Sequence, residues 1–443
     1  METRRQTTMD FAKSNKLRQK FHSLIPGGGH TYAKGDDQYP EHCAPYLVKG
    51  QGCRVWDADG NEFIEYGMGL RAVTLGHAQP EIVEAARQQM LLGANFTRPA
   101  LLELECAEAL LGLIEGAEMV KFAKNGSDAT TAAVKLARAY TGRDMVAVCA
   151  DHAFFSTDDW FIGSTPMAAG IPQAIRALTV KFQYNNVSSV NALFDAHPRR
   201  IAALILEPAT HLEPKDRFLH ELRRLCSENG AVLIFDETIT GFRWHLNGAQ
   251  KYYGVVPDLS TFGKALGNGF SISALLGRKE IMELGGLQHS KDRVFLLSTT
   301  HGAESHCLAA AIAVIKFYRE QQVIERLYRQ GERLAKGIQK AIDDNRLNEH
   351  FLVLGKPCNL IYATKDEKKQ PSQPFRTLFL QETIKRGLLM PSLVVGFSHS
   401  DADVDYTTGA VAEALAVYRK AMDEGIDRYL ASRPVKPVFR NLN

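Results

Sequence analysis

Ala231-Val232-Leu233-Ile234-Phe235, followed at once by Asp236-Glu237, reads as a buried strand that ends in two carboxylates. Upstream, Ala202-Ala203-Leu204-Ile205-Leu206 is a second strand of the same kind, and residues 215–229 predict the helix joining the two. Further out, Met119-Val120-Lys121-Phe122-Ala123-Lys124 and Val146-Ala147-Val148-Cys149 are strand candidates. Between them, Asn125-Gly126-Ser127 turns into an amphipathic helix from about 128 to 141. Short apolar runs alternating with helical periodicity from about 75 to 300 predict an α/β fold whose sheet is mostly parallel and covered by helices on both faces. Such sheets bind ligands beyond the carboxyl ends of their strands, where Asp236 would lie.

The flanks read differently. The N-terminal segment has a polar helical stretch, the turn Pro26-Gly27-Gly28-Gly29, and the alternating run Arg54–Ile64 folded around Asp59-Gly60 as a hairpin. Beyond about 305 the pattern predicts one long helix over 308–343, a strand at Asn359–Tyr362, and helices over 375–386 and 403–429. The expected division is therefore 1–75 and 306–443 as parts of a small α+β domain, with 76–305 as the large domain.

Composition narrows the function classes. With 53 basic and 50 acidic residues the net charge is +3, and no basic tract is interleaved with aromatics, which argues against nucleic acid as a principal partner. The seven cysteines are scattered without a CxxC pair, so a disulfide framework or zinc knuckle is not expected. The polar start Met1-Glu2-Thr3-Arg4-Arg5-Gln6 is not a secretory signal, and no apolar run is long enough for a bilayer. A cytoplasmic location without a membrane partner is expected.

The chemistry concentrates at Lys264, in Thr261-Phe262-Gly263-Lys264-Ala265-Leu266-Gly267-Asn268-Gly269. A lysine on a glycine-flanked loop, with an aspartate at a strand end nearby in the chain, is what a pyridoxal phosphate (PLP) enzyme needs. The amine forms a Schiff base to the cofactor aldehyde, and the carboxylate pairs with the pyridine nitrogen so that the ring can accept electrons. A free lysine, with a pKa of about 10.4, is a poor nucleophile; burial can lower it toward about 7 to 8, the range of a working base. Alone, Lys264 would read as a surface residue and Asp236 as a helix cap or strand-end ion pair; together they favour the cofactor reading.

Asn125-Gly126-Ser127-Asp128-Ala129 joins a strand to a helix N-terminus, where unpaired amides, close approach at Gly126 and the Ser127 hydroxyl can hold a phosphate. Most such turns only cap a helix. His152-Ala153-Phe154-Phe155-Ser156-Thr157-Asp158-Asp159-Trp160 supplies aromatics for core packing or for stacking on a planar ring. No metal site is expected here, nor at His301–His306, whose spacing is one residue too long for an inverted zincin motif.

Taken together these runs resemble the class III, fold-type I, PLP-dependent aminotransferases, and within them the glutamate-1-semialdehyde aminomutase branch. The most specific block is Leu233–Arg243, continued by Gly254–Leu259 and Phe262-Gly263-Lys264; Trp56–Gly60, Leu75–Ala78, Asn125–Ala129, Leu206-Glu207-Pro208 and Ser398-His399-Ser400 support it. The resemblance spans Pro26 to about Asp405. It implies a mostly parallel seven-stranded sheet, PLP as cofactor, Lys264 as Schiff-base lysine and Asp236 as the pyridinium partner. Gly126 and Ser127 would bind the phosphate. Thr299, where the family has a Gly-Thr-x-Ser-Gly run, would reach the phosphate of a neighbouring subunit, so the resemblance also implies a homodimer with shared active sites.

Three departures bear on the substrate. The family's Tyr-His-Gly becomes Ala153-Phe154-Phe155, so Phe154 is expected to stack on the cofactor. Thr238 stands where a valine usually packs the other ring face. Lys34 aligns with the mutase's carboxylate-binding arginine and cannot reproduce its bidentate fork. The expected activity is an aminotransferase moving an amino group from an amino acid donor to an aldehyde or ketone acceptor by a ping-pong mechanism. The alternative is a 2,1-aminomutase, and a catalytically silent member of the fold is disfavoured by the presence of both Lys264 and Asp236.

Overall fold

A computed structural model describes residues 9–440. Its strands in chain order are β1 (Leu47–Gln51), β2 (Arg54–Asp57), β3 (Glu62–Glu65), β4 (Met119–Ala123), β5 (Met145–Cys149), β6 (Thr179–Phe182), β7 (Ile201–Leu206), β8 (Val232–Asp236), β9 (Leu259–Phe262), β10 (Ser273–Gly277), β11 (Phe351–Leu354), β12 (Ile361–Thr364) and β13 (Leu388–Leu389). The chain divides into two compact units. One comprises the chain up to Leu70, Leu75–Ala78 and Arg326–Arg440; the other comprises Arg71–Thr74 and Gln79–Glu325.

The larger unit is built on a seven-stranded sheet in the order β4-β10-β9-β8-β7-β5-β6. The pairs β9/β8, β8/β7, β7/β5 and β5/β6 are parallel, and β10 runs antiparallel to both its neighbours. Every residue of β5, β7, β8, β9 and β10 is buried, which is why β5, β7 and β8 read as continuous apolar runs instead of alternating ones; β9, Leu259-Ser260-Thr261-Phe262, and β10 carry polar residues and were not expected as strands. The helix Gly126–Thr141 buries Ala129, Ala132, Ala133, Val134, Leu136 and Ala137 in the same core, a small-residue face that lets it lie close to the sheet. From β7 through β8 to β9 the chain advances one way across the sheet, whereas β5 and β6 lie on the other side of β7. The loops after β5 and β7 therefore part from each other at this switch, and a crevice opens at the strand ends.

The smaller unit carries β1, β2 and β3 as an antiparallel meander, extended by β13 parallel to β3, and a separate β11–β12 hairpin. Two sequence expectations are corrected. The single long helix over 308–343 is two helices, Ser305–Gln321 and Val323–Asp344, broken where Gln322 turns left-handed with φ 48°. The strand placed at 359–362 begins only at Ile361, because Pro357–Asn359 forms a 3-10 turn opened by its proline. No described helix is long and apolar enough to cross a membrane.

Candidate active site

Asp236 is the last residue of β8 and is 5% exposed. Parallel pairing sets it against Thr261 of β9, and the Thr261 hydroxyl donates to Asp236 Oδ1 at 3.0 Å. The Thr238 backbone N–H donates to the same oxygen, also at 3.0 Å. Oδ1 is thus occupied on two sides, and Oδ2 is left for another partner. Burial pushes the carboxyl pKa up, opposed by the Thr238 hydrogen bonds and by the charge of Lys264.

Lys264 lies two residues past the end of β9, after Gly263, on the turn Lys264–Leu266, with φ 44°. A left-handed lysine is an outlier that costs on the order of 1 kcal/mol and persists where its surroundings impose it. Those surroundings include Gly267, where a Cβ would stand 2.2 Å from the Phe270 carbonyl oxygen, so only glycine closes this loop. Burial pushes the Lys264 amine below its ordinary pKa; Asp236 and Glu207 attract a proton to it, while Arg71 and Arg243 repel one. Glu207, one residue past β7 and 8% exposed, is pushed upward by burial and by Asp236.

Thr238 ties this pair to the helix N-terminus. A Cβ at Gly263 would lie 3.3 Å from Thr238 Cγ2, and one at Gly126 would lie 3.1 Å from both Cγ2 and Oγ1 of Thr238. Glycine at 126 and 263 therefore keeps open a narrow space floored by Thr238. Gly126 and Ser127 head their helix, so their amides lack intrahelical acceptors. Ser127 Oγ accepts from the Thr157 N–H at 3.2 Å, which fixes the loop after β5 beside this end. In that loop Phe155 is 1% exposed and belongs to the core, whereas Phe154 is 43% exposed with its ring edge-on to Phe161 at 5.8 Å. Of the two phenylalanines, only Phe154 keeps a face open.

His152, which the sequence offered only as one ring among several, joins the two loops at the switch. Its Nδ1 accepts from the Glu207 backbone N–H at 3.1 Å, which puts the proton of the neutral ring on Nε2. Burial pulls its pKa down to about 4, and the buried Nε2 has no partner. Arg71, Arg243 and Glu207 had no role assigned from the sequence, although Glu207 and Arg243 stand inside quoted runs. Thr299 is exposed on the loop before the helix Ser305–Gln321. Nearby, ligand atoms of Glu304, His306 and Cys307 lie within 4.8 Å of one another, and Glu304 is ion-paired to both Lys124 and His301. Lys34 is exposed on a 3-10 turn of the smaller unit.

Asp236 at the end of β8, Lys264 just past β9 and Thr238 packed against Gly126 at a helix N-terminus thus gather at the strand ends of a seven-stranded α/β sheet. That combination defines a fold-type I transferase. The chain belongs to the class-III aminotransferase family, whose profile matches residues 35–389. It is 33% identical to the glutamate-1-semialdehyde 2,1-aminomutase of Archaeoglobus fulgidus, covering 92% of this chain and all of that one. It is 30% identical to the 3-aminobutyryl-CoA aminotransferase of Cloacimonas acidaminovorans, covering 94% and 99%. Among solved structures, the FumI protein of Sphingopyxis sp. MTA144 in its PLP internal aldimine form superposes with a TM-score of 0.85 at 28% identity, covering 95% and 98%.

Proposed function

We propose that this enzyme is a PLP-dependent aminotransferase that takes an amino group from an amino acid and passes it to an aldehyde or ketone, releasing a product after each half-reaction. When bound, PLP supplies the electron sink that makes the substrate carbon acidic. The observation that carries the reading is that Asp236 ends β8 opposite Thr261 of β9, three residues before Lys264, so that the two groups stand at the ends of adjacent strands.

In this reading Lys264 is the attachment point and, once released by a substrate amine, the base that moves the proton. Its lowered pKa leaves more of the amine unprotonated at neutral pH, as a base requires. Asp236 would hold the ring nitrogen protonated, with Thr261 and the Thr238 amide fixing the carboxylate's orientation. Gly126 and Ser127 would take the phosphate, and Phe154 and Thr238 would flank the ring.

We also propose a homodimer in which Thr299 serves the partner's site. Met90, Leu91, Leu92, Phe96, Leu101 and Leu104 are each at least half exposed, six apolar side chains within fifteen residues that a monomer would leave in water. Ser305 N–H donates to Ala94 O at 2.9 Å and Asn95 Nδ2 to Thr300 O at 3.0 Å, so the Thr299 loop borders that patch. The seven free thiols, six of them buried, fit the reducing cytoplasm.

The aminomutase stays as the second reading because the A. fulgidus relative carries that name. Holoenzyme mixed with glutamate or alanine should release one equivalent of keto acid with no acceptor present. Efficient isomerisation of glutamate-1-semialdehyde, with no such release from any amino acid, would decide for the mutase.

A further inference from the structure

The turn Asn125-Gly126-Ser127, offered to a phosphate, is fixed from more than one element. Asn125 N–H donates to Asp128 Oδ2 at 2.8 Å, which closes the turn onto its own helix. Ser273 Oγ, at the start of β10, donates to Asn125 O at 2.7 Å, and Ser271 Oγ donates to Lys124 O at 3.3 Å. A further hold comes from far along the sequence. Lys124, the residue between β4 and Asn125, sends its amine to Glu304 Oε2, 180 positions away.

Glu304 serves this contact and not its own helix. It stands at the N-cap of Ser305–Gln321, where a side chain normally accepts from the first helical amides, and it makes no such bond. One of its oxygens takes the Lys124 amine, and the other lies 3.0 Å from His301 Nδ1. The Lys124 side chain is 25% exposed and that of Glu304 18%, so the pair is screened less than one standing in open solvent. The Lys124 hydrogen bond holds the Glu304 carboxyl below the usual carboxylate range, which keeps it charged at neutral pH. With both oxygens engaged, Glu304 is not left over to join His306 and Cys307 on a metal.

The position of Lys124 gives the pair its consequence. A phosphate at a helix N-terminus is held by amides whose directions are set by the backbone just before the helix. A lysine anchored by β4 through its main chain and by Glu304 through its amine restrains that backbone immediately ahead of Asn125. An ion pair that served the fold alone would make no difference between ligands with and without a phosphate.

We infer that Glu304 is a positioning residue: through Lys124 it fixes the turn that receives the cofactor phosphate, so that the Gly126 and Ser127 amides converge on one place. This rests on the reading of Gly126 and Ser127 as the phosphate site and adds to it a residue that acts through another.

The test titrates the full-length protein, freed of cofactor, with PLP and with pyridoxal, which has the same ring and aldehyde but no phosphate, and follows absorbance of the bound ligand. In Glu304→Gln and in Lys124→Met the PLP affinity should fall about 3- to 10-fold while the pyridoxal affinity stays at the wild-type value. The double variant should bind no more weakly than either single one, because the same contact is lost in each. Ser127→Ala tests the underlying reading and should also weaken PLP while sparing pyridoxal. Equal losses for PLP and pyridoxal, losses that add in the double variant, or tighter PLP binding in Glu304→Gln would overturn the inference alone, with Ser127→Ala behaving as stated. A Ser127→Ala protein that binds both ligands as wild type does would overturn the phosphate reading and the inference with it.

Discussion

Asp236→Asn isolates charge from shape. Asparagine can keep Oδ1 in place, accepting from Thr261 and from the Thr238 amide as the aspartate does at 3.0 Å, so the strand end and its neighbours need not move. What disappears is the negative charge on a side chain that is 5% exposed. At a separation of about 4 Å and an effective dielectric of about 20, a carboxylate stabilises a cationic ring nitrogen by about 4 kcal/mol. At 1.36 kcal/mol per decade that is a rate loss of about a thousandfold. The loss should fall on proton removal from the substrate and not on cofactor attachment, because Lys264 is unaltered. Single-turnover rates with a fixed amino donor measure the first, and borohydride trapping of labelled cofactor on the protein measures the second. A variant within about threefold of wild type would refute the pairing, since that corresponds to less than about 0.7 kcal/mol.

Lys264→Ala should abolish turnover and the borohydride-trapped adduct while leaving far-ultraviolet circular dichroism unchanged; peptide mapping of the wild-type adduct to any other lysine would sink the assignment. Thr238→Val removes, at nearly constant volume, a hydroxyl that lowers the Asp236 pKa and should slow proton removal several-fold while PLP is still bound; an unchanged rate would mean that the hydroxyl does not reach the carboxyl. His152 and His399 are both held down to about 4 by burial. Their folded values lie below the ordinary histidine value, so the stability tied to their neutral forms is complete above about pH 6.5 and is lost as pH falls toward 4, on the order of 3 kcal/mol each. A thermal midpoint that stays flat from about pH 7 down to about pH 4.5 would contradict this.

The parallel sheet was legible because its central strands are buried on both faces and so carry unbroken apolar runs. Ala231–Phe235 and Ala202–Leu206 each match a strand to within a residue. Weaker strands escaped: Thr179–Phe182 has a lysine at its third position and lies at the sheet edge, where one side need not be apolar. Lys264 and Asp236 stood out as candidates because glycines flank one and a strand leads into the other. The left-handed turn was not readable, since nothing in Met68-Gly69-Leu70-Arg71 marks it beyond its one glycine, and the Arg243 that donates to Thr74 just after it is 169 residues away. The break at Gln322 was hidden for the same reason: the apolar periodicity resumes one residue later, and only the backbone angle records the turn.

Transferase and mutase share every residue that handles the cofactor, so the distinction lies in what holds the substrate when it is no longer covalently attached. A mutase must keep its intermediate bound between two half-reactions, which calls for anchoring remote from the exchanging carbon as well as near it. Keto acid release from an amino donor with no acceptor present reads that distinction directly: a transferase lets its first product go, and a mutase holds it for the second half-reaction.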